Sequence, residues 1–467
     1  MTEWKLAQKA ILVVGVIGMA GAVYTAVKVD RLVRIGAGYK AKTVCSEIFV
    51  AGRDKARVLS AEFVGMPATM EQVKVKIDED AQTVKARGPF GLGGIHAVYR
   101  PGFGCTLANA GRVRPLASVE ISDKASGDEW SLARPISGEA LDYVDYAAVD
   151  FAFTQSFEEN ATNQRSFLAI VDGKIVDEMY AEGFSEATPF LSWSMAKSVT
   201  ASLVGAAVLN GYIDIEAPVP VPEWVGDDAK SKITWNDLLR MQSGLNFEEN
   251  YGDPRSDVNR MLFEKPDAGG VASQSNADHA PGEVWYYSSG TTNLIARTLR
   301  QVLSAKGVDF YQFAHDALLD PLGAKSVVLE PDASGSFIGS SYVYATARDW
   351  ARLGQLYLDD GIWDGVRLLP EGWSEYVTSP TTASDRQYGA QFWLNLDGAD
   401  GRERYIPDLP ESAYYMGGHE GQYVVIVPDK KMVMVRTGMT RGRPAMPEVA
   451  PLFSDVYEAV GRVSNKD

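Results

Sequence analysis

Residues 10–27, between Lys9 and Lys28, form an uncharged and mostly apolar run with no polar face. As a helix, a run of this length spans about 27 Å at 1.5 Å per residue, close to the hydrocarbon thickness of a bilayer, and flanking lysines can snorkel to the headgroups. The pattern therefore predicts a membrane anchor over 1–30. The competing reading is a cleaved signal peptide, with Lys5 and Lys9 as its basic start and Ala20-Gly21-Ala22 as a small-residue cleavage site.

Beyond the apolar run the periodicity changes. Gln72 to Ile77 alternates polar and apolar residues with period two, Asp78 to Ala81 can turn, and Thr83 to Arg87 can return, which predicts short strands. We read residues 31–142 as a small β-rich extension without a chemical motif. Gly91-Leu92-Gly93 is followed by His96 where a dinucleotide fingerprint needs glycine.

Residues 143–467 read as the main domain. Phe167 to Val171, Asp172-Gly173, then Lys174 to Val176 is a hairpin pattern, because Asp-Gly supplies the positive φ angles of a type I′ turn. Helical periodicity follows at 195–209, 235–241, 292–303 and 347–358. Strands return at 422–427 and 432–437, and a last helix is expected over 447–460. The order predicts an α/β (α+β) fold, with an antiparallel sheet closed by both ends of the domain and a helical lobe inserted between them.

Composition narrows the function. The 467 residues carry 45 Lys plus Arg against 61 Asp plus Glu, a net charge of -16, which disfavours a phosphate backbone as partner. Two Cys and four His are too few for the usual Cys/His zinc sites, which leaves only Asp and Glu ligands open and disfavours a metal; no cofactor is expected. Basic residues Lys28, Arg31, Arg34, Lys40 and Lys42 follow the apolar run and argue for retaining the body of the chain on the cytoplasmic side. Cys45 and Cys105 argue for export, to the periplasmic or extracellular side, because a lone cysteine pair in an exported protein usually forms a disulfide. That bridge would contribute about 4 kcal/mol in the chain-entropy model, and two separate buried thiols are the alternative. We expect export.

The chemistry centres on Leu191-Ser192-Trp193-Ser194-Met195-Ala196-Lys197. Ser194 and Lys197, three apart at the start of an apolar helix, share one face. A serine is a weak nucleophile until a base takes its proton, and a lysine can serve when burial lowers its pKa. The helix N-terminus adds a positive end near a developing oxyanion. Downstream come Tyr286-Tyr287-Ser288-Ser289 and Gly417-Gly418-His419-Glu420-Gly421-Gln422.

In this order the motifs resemble the serine β-lactamase and penicillin-binding protein superfamily, in its class C and esterase branch, over about residues 143–463, with Ser194 and Lys197 in the place of its Ser-x-x-Lys motif. Ile233 to Leu245, Ala345 to Gly354 and Asp364 to Pro370 resemble further segments of that family. The resemblance implies a β-lactamase/transpeptidase-like fold and acyl transfer through an acyl-serine. Ser194 would attack the carbonyl, Lys197 would activate it, and Tyr287 would relay a proton to the leaving group; which of Lys197 and Tyr287 is the base stays open. It also implies an oxyanion hole from the N–H groups of Ser194 and Gln422, with Ser289, His419 and Gly421 facing the substrate.

Two departures narrow the substrate. Ser289 stands where the family's lactamases have Asn, and His419-Glu420-Gly421 stands where they have Lys-Thr-Gly. A histidine, mostly neutral at pH 7, offers a carboxylate less than a lysine does. The pattern looks more like the esterase and 6-aminohexanoate-dimer hydrolase branch, in which Tyr251 has a plausible counterpart. The expectation is a serine hydrolase acting on a small ester or linear amide. The alternatives are a β-lactamase or D-alanyl peptidase, and a non-catalytic sensor, which a Lys197 amine far from Ser194 would favour.

Overall fold

The structure, a computed structural model, describes residues 28–108, 113–119, 140–159, 162–442 and 444–461. The apolar run at 10–27 lies outside them, and among the described residues no helix is long and apolar enough to cross a membrane.

The extension begins with helices that the alternating pattern did not announce. Helix α1 covers 28–49, and α2 covers Lys55–Ala61, capped by the Asp54 side chain. The expected strands follow as β1 (Lys74–Asp78) and β2 (Thr83–Arg87), joined by β3 (Ile95–Arg100) and β4 (Gly104–Leu107) in one antiparallel sheet of order β1-β2-β3-β4. Cys45 on α1 and Cys105 on β4 form the expected disulfide, with Cα atoms 6.1 Å apart.

The extension is not a separate body. Ile35, Ala37, Ala41 and Val44 of α1 share one hydrophobic core with the main domain's helical lobe. Buried polar groups reinforce the seam: Lys42 pairs with Glu330, whose carboxylate also accepts from the Ser46 hydroxyl (2.8 Å) and the Cys105 N–H (2.6 Å).

Helix α3 (Tyr146–Glu159), absent from the sequence expectation, leads into β5 (Gln164–Val171) and β6 (Lys174–Tyr180). Their turn has φ 48° at Asp172 and 73° at Gly173, the two positive angles the Asp-Gly pattern required. After helices α4 (Ala196–Leu209), α5 (Ser289–Ala305) and α6 (Ala347–Leu358), the sheet resumes with β7 (Trp393–Leu394), β8 (Tyr414–Gly418), β9 (Gln422–Val427) and β10 (Met432–Gly438). Helix α7 (Ala445–Glu458) ends the domain.

The sheet has the order β7-β8-β9-β10-β5-β6 and is antiparallel throughout. Closure comes where the last strand, β10, pairs with the first, β5, with Val433 opposite Ile170 and Val435 opposite Leu168. Successive side chains point to opposite faces, and both faces are covered. Phe167, Ala169 and Val171 pack with Phe153 of α3 and Phe453 of α7, whereas Leu168 and Ile170 face the helical lobe. Burial on both sides explains why β9 and β10 read as continuous apolar runs.

Candidate active site

Ser194 lies in a single 3₁₀ turn, Trp193–Met195, that runs directly into α4. Trp193 holds φ 44°, a left-handed value that costs a tryptophan energy and is kept here by its surroundings. The Ser192 hydroxyl, fully buried, reaches the carbonyls of Trp193 (2.9 Å) and Ser341 (3.2 Å) and accepts from the Val343 N–H (3.0 Å), tying the turn to the loop at 340–343.

Three residues along, on the same helical face, the Lys197 amine is 3.1 Å from the Ser194 hydroxyl. The sensor reading, which needed these groups apart, loses its geometric support. Lys197 is 1% exposed and also reaches the Ser289 hydroxyl (3.0 Å) and the Ser340 carbonyl (3.2 Å). Burial pushes its pKa down to about 8, against a smaller upward pull from Glu249.

The hydrogen bonds decide where the lysine's lone pair can point. Glu249 accepts from the Ser289 hydroxyl (2.5 Å) and N–H (2.8 Å). Ser289, having given its proton to Glu249, can only accept from Lys197, and the Ser340 carbonyl can only accept. A neutral amine has two N–H donors, and these two acceptors take both. Its lone pair is left for the Ser194 O–H.

Tyr287 also lies beside the nucleophile. Its ring is 4.7 Å from the Lys197 amine and stacks on Trp393 (5.4 Å, 28°), with Tyr388 edge-on at 5.9 Å. Burial raises its pKa well above the usual phenol value, partly offset by the Ser194 hydroxyl beside it. At neutral pH it is a phenol, able to pass a proton but not to act as a phenolate base.

The remaining expected residues sort by exposure. Ser289 is fully buried and serves Lys197, so it presents nothing to a substrate in this structure. Tyr251 is 43% exposed, with its hydroxyl turned in toward Glu249 (3.0 Å) and Ser289 (3.4 Å). Its ring stacks on His419 (5.9 Å, 10°), and His419 meets Trp193 edge-on (5.6 Å), so these three rings form one wall beside the nucleophile. Tyr39 of α1 continues the wall, stacked on Trp193 at 6.2 Å and 13°.

Gly418 and Gly421 of the third motif pack closely against the protein's own atoms. A Cβ on Gly421 would fall 2.1 Å from the Arg436 guanidinium, and one on Gly418 would fall 2.3 Å from the Ser192 carbonyl oxygen. It is thus Gly418, at the end of β8, that lets the sheet edge close on the nucleophile turn. Gln422, the expected oxyanion donor, is buried at the start of β9, its side chain bonded to the His419 carbonyl (3.1 Å) and to Gly438.

Sequence reasoning passed over Glu249 and the Ser340 carbonyl. Glu248-Glu249-Asn250 reads as a solvated loop, and only the fold brings it to Ser289. Among the described residues no group of three or more His, Cys, Asp or Glu could hold a metal ion.

Comparison with known proteins follows this geometry. The Beta-lactamase family description matches residues 154–452. The 6-aminohexanoate-dimer hydrolase of Paenarthrobacter ureafaciens is 29% identical over 285 residues, 58% of this chain and 68% of that protein. Among solved structures, a candidate 6-aminohexanoate-dimer hydrolase from Bacillus anthracis matches with TM-score 0.55 at 20% identity, over 75% of this chain and 88% of that one. A family VIII carboxylesterase matches with TM-score 0.50 at 16% identity, over 68% and 97%.

Proposed function

Since the chain belongs to the beta-lactamase family of serine hydrolases, we propose that it cleaves a small ester or linear amide through an acyl-serine on Ser194. One observation carries this reading: a buried Lys197 amine with pKa near 8 lies 3.1 Å from the Ser194 hydroxyl, with both its N–H donors committed elsewhere.

With a pKa near 8, about one lysine in ten is neutral at pH 7, enough for a base. Neutral Lys197 takes the Ser194 proton as the oxygen attacks the carbonyl carbon, and Tyr287 passes a proton to the leaving alkoxide or amine. The peptide N–H groups of Ser194 and Gln422 steady the oxyanion. Water then attacks the acyl-serine, with its proton returning by the same route. The alcohol or amine and the acid leave in turn.

The esterase or linear-amidase reading is preferred over a lactam substrate because burial holds the His419 pKa below its ordinary value, with Glu420 pulling it up and Arg441 opposing that pull. The cleft edge that would meet a substrate carboxylate is then uncharged. The buried disulfide favours an oxidising compartment, hence an exported domain, with residues 10–27 as its tether. Carbonate extraction of membranes tests the tether: a fully released, full-length chain overturns it.

The test of activity is a panel of p-nitrophenyl esters and anilides with a fluorophosphonate label. Turnover and labelling of the wild type that vanish in Ser194→Ala are expected. A wild type that neither labels nor turns over any of the panel sinks the proposal.

A further inference from the structure

Burial is the first cause that disfavours a charged His419, and two neighbouring charges, on Glu420 and on Arg441, then act on the ring in opposite directions. Glu420, at φ 61°, turns its carboxylate under the loop, where the side chain is 9% exposed. One oxygen of that carboxylate, Oε1, lies 3.9 Å from His419 Nε2 and also takes a hydrogen bond from Arg441 Nε. A carboxylate beside an imidazole ordinarily favours the protonated ring. Here the guanidinium holds that oxygen first, and its own positive charge opposes a second one on the imidazole.

The extension keeps Arg441 in place. Its Nη1 donates to the carbonyls of Glu62 (2.9 Å) and Val64 (2.8 Å), both just after α2, and its Nη2 lies 3.4 Å from the Tyr39 hydroxyl of α1. These acceptors lie outside the stretch matched to the family. Arg436 braces the same loop from beneath, donating to the carbonyls of Glu420 (3.3 Å) and Gly421 (2.7 Å). The groups facing His419 are therefore Glu420 and Arg441 as charges and the Tyr251 and Trp193 rings as neutral faces, with Glu249 behind the Tyr251 hydroxyl. The His419 side chain is 58% exposed, so a substrate can meet it.

We propose that Arg441 is a specificity-determining residue: held by the extension, it occupies Glu420, keeps His419 uncharged, and makes the cleft prefer uncharged acyl groups over those ending in a carboxylate. The inference rests on the serine-hydrolase reading for its substrates but not for its charge state. Without Arg441 the Glu420 carboxylate is free to stabilise a protonated His419, and the edge of the cleft becomes cationic.

The experiment compares p-nitrophenyl hexanoate with mono-p-nitrophenyl adipate, a neutral and an anionic ester of similar length, at pH 6.5 on the full-length protein. In Arg441→Gln the preference in kcat/KM for the neutral ester should fall about tenfold, chiefly through a lower KM for the adipate, as a new charge at contact distance implies. Arg441→Lys should restore the preference, and adding Glu420→Gln to Arg441→Gln should abolish the change. The His419 ring protons, followed by NMR, should titrate at higher pH in Arg441→Gln than in wild type. An unchanged ester preference together with an unchanged His419 titration overturns the inference. If Arg441→Gln does not fold, Glu420→Gln alone decides it: His419 must then titrate lower than in wild type, and a titration that stays put or rises overturns the inference. A wild type inactive on both esters returns the hydrolase reading to the wider panel and the fluorophosphonate label, while the NMR titration alone then judges Arg441.

Discussion

Among the described residues two lysines, Lys42 and Lys197, are almost fully buried, and only Lys197 lies beside the candidate nucleophile. Lys42 and Lys197 are each 1% exposed, and burial lowers the pKa of both. Lys42 meets the carboxylate of Glu330 directly, accompanied by the Ser46 hydroxyl (3.0 Å) and the face of Tyr342 (4.1 Å). Lys197 meets two hydroxyls and a carbonyl, with its nearest carboxylate, Glu249, one serine removed. A buried lysine against a carboxylate is a fastener, whose proton is shared within a closed pair. A buried lysine against neutral groups, one of them a hydroxyl whose proton it can take, has the geometry of a base. A depressed pKa alone does not mark a catalytic residue; the group it faces does.

The comparison breaks first on replacement by methionine, which keeps the length of the side chain and removes its charge. Lys197→Met should lower kcat/KM about a thousandfold, the scale of a lost general base. It should also raise unfolding stability at pH 7 by about 1–3 kcal/mol, because a desolvated ammonium is replaced by an apolar group. The sign is checked by pH. The folded pKa, near 8, lies below the unfolded value of 10.5, so between those values the unfolded chain binds the extra proton. The wild type should therefore gain stability across that window, and the Met variant should not show that gain. Urea titrations at pH 7 and 10 give both numbers.

Lys42→Met should do the reverse. It strands Glu330, whose side chain is fully buried, and should cost about 3–5 kcal/mol, with the folded fraction keeping near wild-type turnover. Lys42→Met with Glu330→Leu should recover most of that loss. If the single variant lost turnover with unchanged stability, the division between fastener and base would fail.

How much of this was legible in the chain follows the same line. Local geometry was readable: Ser194 and Lys197 share a helical face by spacing alone, and Asp172-Gly173 announced its own turn. Closure of the sheet by β5 and β10 followed from strands at both ends of the domain. Helix α1 was not readable, because its middle is buried almost all round. Lys42, Thr43, Ser46 and Glu47 are as hidden as Ala41 and Val44, so no apolar stripe marks the helix. Lys42 finds its partner, Glu330, hundreds of residues away, and Glu47 pairs with Arg53 (2.6 Å) just beyond the helix while also accepting from the distant Tyr344 hydroxyl at 3.1 Å. Glu249 escaped for a similar reason, since Ser289, 40 positions on, is what links it to Lys197.

The pH dependence of catalysis sharpens the base side of the comparison. If neutral Lys197 is the working form, kcat/KM for a neutral ester should rise as pH increases through about 8 and level off above it. A profile already flat from pH 6 to 9 would point to a different base.

The smallest effect expected is at Glu249, and it separates charge from hydrogen bonding. The carboxylate pulls the Lys197 pKa upward while it receives the Ser289 proton. In Glu249→Gln the charge is lost but a carbonyl oxygen can still accept from Ser289, so the direction of the Ser289 hydroxyl survives. The rising limb of kcat/KM should then move to lower pH, with the plateau within a few-fold of wild type. Movement of the limb to higher pH would mean that Lys197 titrates under some other influence. A collapse of the plateau without movement of the limb would show that Glu249 matters through Ser289's orientation and not through its charge. Lys42 supplies the control: Glu330→Gln, which strips the carboxylate from the other buried lysine, should leave the limb where it is.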